Sequence, residues 1–123
     1  MLITGAASGI GKLMAEKTLT MGATVWMWDV NASQLEQVRA EFSSLGTVHA
    51  QVVDIADIAQ IQKAADELLQ QSVGLDVLIN NAGIVVGKYF HEHSVNDIKR
   101  TMAINADAPM YVTQAFINTM LQN

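Results

Sequence analysis

The stretch Thr4-Gly5-Ala6-Ala7-Ser8-Gly9-Ile10-Gly11 follows the apolar run Met1-Leu2-Ile3 and leads into apolar residues at helical spacing, Ile10, Leu13, Met14 and Met21. A short apolar run, three glycines and then a 3.6-residue period read as strand, tight turn and helix. Glycine suits such a turn on two grounds. It adopts backbone angles that a Cβ forbids, and it lets an anionic group approach the main chain closely. The first N–H groups of the helix have no partner within the helix, and with the helix dipole they favour a negative charge. A glycine loop alone is equally readable as a turn without a ligand, and the spacing G-x3-G-x-G departs from the commoner G-x-G-x-x-G.

Outward from this turn the same alternation repeats. Thr24-Val25-Trp26-Met27-Trp28 is β-branched and aromatic, hence a strand, and it ends in Asp29. Ser33 and Glu36 have the spacing of a capping box, opening a helix with Leu35, Val38, Phe42 and Leu45 that closes at Gly46. Val48 to Val53 is a third strand ending in Asp54. Asp57 then caps a helix whose Ile58, Ile61, Ala65, Leu68 and Leu69 form one stripe. Beyond Gly74, Val77-Leu78-Ile79 is a fourth strand running into Asn80-Asn81-Ala82-Gly83. After a loop near Gly87 to His93, Ser94 and Asp97 cap a helix that reaches about Asn105. Asp107 and Pro109 suit the first turn of another. Trp26 and Trp28 point to one face of their strand, and Met14, Met21 and Met27 read as core filler. Strands alternating with helices predict an α/β, doubly wound parallel sheet with right-handed crossovers.

The chain has 123 residues and no linker, repeat or low-complexity stretch, so 1–123 reads as one domain or part of one. Half of it is hydrophobic, enough for a core. Charged residues make up 15 %, below the roughly 25 % usual for soluble domains, which suggests surface covered by other protein. A net charge of −5 argues against nucleic acid or an anionic membrane as partner. The absence of cysteine excludes a disulfide scaffold and thiolate metal sites and is compatible with a reducing compartment. With no span-length apolar run and no signal-peptide pattern, the expected location is cytoplasmic. His91 and His93 flank Glu92 in a polar loop without a third ligand, so no metal is expected.

In a doubly wound sheet, ligands sit beyond the carboxyl ends of the strands, where the glycine turn, Asp29 and Asp54 stand. Asp29 lies 18 residues beyond Gly11, about where an acid bonds the hydroxyls of an adenosine ribose. Such a charge-assisted bond is worth about 1.5–3 kcal/mol. The same carboxylate repels a 2′-phosphate by about 4 kcal/mol per unit charge at ~4 Å and an effective dielectric of ~20. Neither the glycine loop nor Val30-Asn31 offers a cation to offset it. A nicotinamide cofactor, if bound, is therefore expected to be NAD in preference to NADP. Asp54 is placed to reach the adenine amino group, or equally to cap a helix.

The glycine loop, Asp29, Asp54, Asn80-Asn81-Ala82-Gly83 and Asn105, in this order and spacing, resemble the N-terminal half of a short-chain dehydrogenase/reductase over essentially the whole chain. The resemblance implies a Rossmann-type sheet in which Thr4, Gly5, Ser8, Gly9, Ile10 and Gly11 cradle the pyrophosphate. It implies that Asp29, with Val30 beside it, selects NAD and that Asp54 and Ile55 hold the adenine. Asn80, Asn81, Ala82 and Gly83 would stabilise the central strand and line the cofactor cleft. Asn105 matches the asparagine that holds a water in the family's proton relay. The implied substrate is a small-molecule alcohol or ketone.

The departure is as informative as the match. The family's chemistry uses a serine on a fifth strand and Tyr-x-x-x-Lys on the next helix, with tyrosine as general acid/base. Here Tyr89 is followed at that spacing by His93, and Tyr111 by Ala115. The expectation is a dinucleotide-binding part without the catalytic half, truncated after the helix beyond strand four and inactive alone. Strand four would then be an exposed sheet edge. Ala108 to Asn123 carries no charge. It shows two stripes, Val112, Ala115, Phe116 and Met120 on one side and Met110, Ile117 and Leu121 on another, which suggests burial on two sides and a homo-oligomer. Two other readings stay open here: an S-adenosylmethionine-dependent methyltransferase-like domain, and a non-catalytic nucleotide-binding domain.

Overall fold

The computed structural model describes residues 1–122. Four strands, β1 (Leu2–Thr4), β2 (Val25–Asp29), β3 (Val48–Val52) and β4 (Leu78–Ile79), form one sheet in the order β3-β2-β1-β4. Every pairing is parallel, with Leu2 beside both Trp26 and Leu78, and Met27 beside Ala50. The chain moves outward from β1 to β3 and returns past β1 to β4. The strand order thus reverses between β1 and β4, and a crevice opens at their carboxyl ends.

The sheet is covered on both faces, and alternation along the strands sorts the core into two halves. Ile3, Val25 and Met27 pack with Ala15 and Leu19 of α1 (Gly9–Thr20) and with Leu35, Val38 and Phe42 of α2 (Ala32–Phe42). Leu2, Trp26 and Trp28 point the other way. They meet Ile61, Ala65 and Leu68 of α3 (Ile58–Gln71) and Ala108, Val112 and Phe116 of α5 (Ala108–Leu121). Trp28 is buried to 0 % exposure, and its indole N–H donates to Gln51 Oε1 at 2.7 Å. That bond resolves the cost of burying a polar ring edge.

Several helix details differ from the periodicity reading. Helix α1 buries Gly11, Ala15 and Leu19, while Ile10 and Leu13 are exposed. Small residues let this helix lie close to the glycine turn, which turns its bulky positions to the outside. Met21, at the end of α1, is 82 % exposed and is no core filler, unlike Met27. Helix α2 begins two residues earlier than the Ser33–Glu36 spacing suggests. Asn31 is its N-cap, accepting from Gln34 N, and Glu36 instead pairs with Arg39. Asp57 does cap α3, and Ser94 with Asp97 does form a capping box at α4 (Val95–Met102). Between α4 and α5 there is no loop. A π-helical turn, Ala103–Asp107, joins them directly, with Pro109 in the first turn of α5. Of the two stripes on α5, the Val112–Phe116 side is buried, whereas Met110, Ile117 and Leu121 are exposed. Among the described residues no helix is long and apolar enough to cross a membrane.

Candidate functional site

A cleft of about 280 Å³ opens at the carboxyl ends of the strands, walled by Gly5 and Ser8, by Asp29 and Val30, by Asp54 and Ile55, and by Asn81, Ala82 and Gly83. Nine positions singled out from the sequence therefore converge on one surface, although they come from four separate turns. The volume is near the lower end of the ~300–1,000 Å³ usual for small-molecule sites.

The glycine turn is built by three different constraints. Gly5 has φ +67°, and a Cβ there would lie 2.9 Å from Ala82 Cα. Gly9 has φ +55° with open space around it, so its glycine serves backbone angle alone. Gly11 is a packing glycine: a Cβ would sit 2.3 Å from the Gly5 carbonyl oxygen and 2.5 Å from Asn81 Nδ2. Gly11 is buried and Ile10 is exposed, so these two shape the turn or flank it and do not wall the cleft. Ser8 is the N-cap of α1, but its side chain makes no capping bond, which leaves the hydroxyl beside the free N–H groups of the first turn.

Thr4 is the one buried polar residue among those described, at 2 % exposure. Its hydroxyl oxygen accepts from Asn81 N and from Ala82 N, each at 3.0 Å. Asn81 Nδ2 in turn donates to the carbonyls of Thr4 and Gly5, at 3.1 and 3.2 Å. Thr4 is thus not among the residues that wall the cleft. Together with Asn81 it rivets the end of β4 to the start of the glycine turn. Asn80 reaches the opposite way, donating through Nδ2 to Thr113 Oγ1 of α5 at 3.1 Å.

Asp29 carries a structural duty that its position in the sequence does not announce. Oδ2 accepts from Ala7 N and Oδ1 from Asn31 N, each at 3.0 Å. The glycine turn is held further by Gly5 N and Ala6 N donating to the Trp28 carbonyl. Each carboxylate oxygen has a second lone pair, so a ribose hydroxyl remains acceptable to it. Asp54 accepts from Ala56 N through Oδ1, and Asp57, not Asp54, is the helix cap.

Asn105 lies in the π-helical turn, a feature that recurs at functional sites. Its amide pairs with Ile84 in both directions: Ile84 N donates to Oδ1 at 2.9 Å, and Nδ2 donates to the Ile84 carbonyl at 2.8 Å. The side chain copies a strand neighbour for Ile84 and fixes the chain just beyond Gly83. Its Oδ1 would be 3.3 Å from a Cβ on Gly83. Periodicity does not mark Arg100 or Ile104, yet both help wall the cleft from α4 and the π-helical turn. Their spacing of four residues beside Asn105 is the one signal that places them on a common helix face. His91 is exposed in a short 3-10 turn, Phe90–Glu92, before α4, where the sequence suggests a loop, and it does not line the cleft.

The fold, the switch-point cleft and the glycine turn define a Rossmann-type nucleotide-binding sheet. Residues 1–123 match the family described as short chain dehydrogenase, and the chain belongs to that family. It is 34 % identical over 125 residues to the short chain dehydrogenase/reductase dpfgG of Gibberella zeae, covering 98 % of this chain and 45 % of that protein. It is 32 % identical over 124 residues to epidermal retinol dehydrogenase 2 of Mus musculus, covering 99 % and 40 %. The chain thus spans less than half the length of these two relatives. A metagenomic short-chain oxidoreductase in complex with NADP superposes with a TM-score of 0.92 at 28 % identity, covering 98 % of this chain and 56 % of that one. Membership in an oxidoreductase family that binds nicotinamide cofactors leaves the methyltransferase reading without support.

Proposed function

We propose that this chain is the dinucleotide-binding portion, domain 1–123, of an oxidoreductase that passes hydride between NAD(H) and an alcohol or ketone. The observation that carries the reading is the convergence of Gly5 and Ser8 of the glycine turn, Asp29 and the Asn81–Gly83 segment on one cleft. In this reading Ser8 and the first N–H groups of α1 meet the pyrophosphate, and Asp29 accepts from the adenosine ribose. Asp54, Val30 and Ile55 receive the adenine, and Ala82 and Gly83 carry the dinucleotide on towards the nicotinamide. The bound cofactor supplies the hydride acceptor. The chain's own part is to hold it and to keep the cleft in shape through Thr4, Gly11 and Asn81. Asn105 fixes the rim at Ile84 with its side chain and is the residue proposed to hold a relay water.

NAD is the preferred cofactor in this proposal. Two carboxylates, Asp29 and Asp54, wall the adenosine end against one cation, Arg100, and a 2′-phosphate adds about two further negative charges. The NADP carried by the metagenomic oxidoreductase makes this the point to test. Calorimetric titration of the purified chain should show NAD⁺ binding at least tenfold more tightly than NADP⁺. Equal affinities, or tighter NADP⁺, would overturn the preference. Because neither tyrosine has a lysine four residues on, the chain by itself is proposed to bind cofactor without turning over alcohol. The exposed Met110, Ile117 and Leu121 face of α5 is the proposed contact of a homo-oligomer.

A further inference from the structure

The cleft contains one charged group that the reading above leaves without a task. Arg100, in the last turn of α4, is the sole cation among the cleft's lining residues. It shares that lining with two carboxylates, yet among the described residues it takes part in no ion pair. Its position is set by Ile104, one helical turn further on. Ile104 is 5 % exposed and packs in the same core cluster as Val53 and Ile55, which anchors that side of the helix over the end of β3. The lining that Arg100 shares is apolar at Val53, Ile55 and Ile104 and also includes Asp54.

That combination selects among the parts of a dinucleotide. A phosphate on this surface would meet apolar side chains and a majority of negative charge. A flat aromatic base would meet apolar side chains and one planar cation, and guanidinium stacks well on such a face. We propose that Arg100 is the lid of the adenine subsite, its guanidinium lying over the base. This inference rests on the dinucleotide reading of the cleft and adds a residue to it. Arg100 then strengthens NAD and NADP alike through the base they share.

The test is calorimetric titration of NAD⁺, NADP⁺ and adenosine into the intact chain and into its Arg100→Ala and Arg100→Lys variants, with circular-dichroism melts to verify folding. Adenosine is neutral, so attraction to a phosphate plays no part in its binding. The expected result is a loss of fivefold or more for all three ligands in Arg100→Ala, about 1 kcal/mol at 1.4 kcal/mol per tenfold. Arg100→Lys should recover only a minor part, because an ammonium has the charge without the plane. Unchanged binding in Arg100→Ala, a loss confined to NADP⁺, or full recovery by Arg100→Lys would each overturn the assignment. Failure of the wild-type chain to bind any of the three would instead sink the dinucleotide reading itself.

Discussion

The backbone N–H of Ala7 donates to the Asp29 carboxylate at 3.0 Å, joining the glycine turn after β1 to the end of β2. One side chain therefore both shapes the cradle and faces the ligand it is proposed to bind. A change at Asp29 should be felt in stability as well as in affinity.

Asp29→Ala leaves the N–H groups of Ala7 and Asn31 without their acceptor, at about 1–3 kcal/mol for the pair. The melting temperature should fall by roughly 4–12 °C, and NAD⁺ affinity should drop with it. Asp29→Asn keeps an acceptor oxygen and removes the charge. It should melt closer to the wild type and narrow the gap between NAD⁺ and NADP⁺, as read by thermal melts and calorimetry together.

Thr4→Val preserves shape and deletes the oxygen that accepts from Asn81 N and Ala82 N. Two partly buried donors are then orphaned, which should cost about 2 kcal/mol, while Thr4→Ser restores the acceptor and most of the stability. Chemical denaturation of the three proteins separates the hydroxyl from the methyl group.

Gly11→Ala places a methyl carbon 2.3 Å from the Gly5 carbonyl oxygen, a backbone atom that cannot swing aside. Overpacking of this kind costs about 1–3 kcal/mol and should displace the turn, so both melting temperature and NAD⁺ affinity should fall. Gly9→Ala meets no neighbour and is opposed only by its left-handed backbone, so its loss of stability should be the smaller of the two.

Asp97 has its pKa held below the ordinary 3.8, first by the backbone N–H of Ser94 and next by the Lys88 ammonium. A depressed folded-state pKa means that its contribution to stability is complete above the unfolded value and disappears as pH falls through the folded one. The start of α4 should thus loosen only in acid below about pH 4. Asp97→Asn should remove that part of the acid dependence, which a pH series of amide chemical shifts at Ser94 and Asp97 would report.

Much of this architecture is legible in the residues themselves. β-branched and aromatic runs, helical stripes and the caps at Asp57 and Ser94 give the parallel α/β order, since each is a local preference consistent with the global fold. The face of α1 is not legible, because its burial is decided by how closely Gly11 and Ala15 allow it to approach the sheet and not by where its largest apolar residues fall. The π-helical turn at Asn105 is also hidden, since α4 and α5 join there without any breaker. In the cleft, the glycines and acids announce themselves by type and spacing. The rivet between Thr4 and Asn81 spans 77 residues, and Arg100 reaches the cleft only through the path of α4, so both depend on tertiary placement.

The central claim is that the Gly5–Gly11 turn and Asp29 together hold the adenosine diphosphate part of NAD. Titrating NAD⁺ into isotope-labelled chain and following backbone amide resonances tests it most directly. The account predicts saturable shifts concentrated at Ser8, Gly9, Ile10 and Gly11, at Ala7 and Asn31 on either side of the Asp29 carboxylate, and at Ala82 and Gly83. Saturable binding whose shifts leave these amides still, or no binding at millimolar NAD⁺, would contradict it.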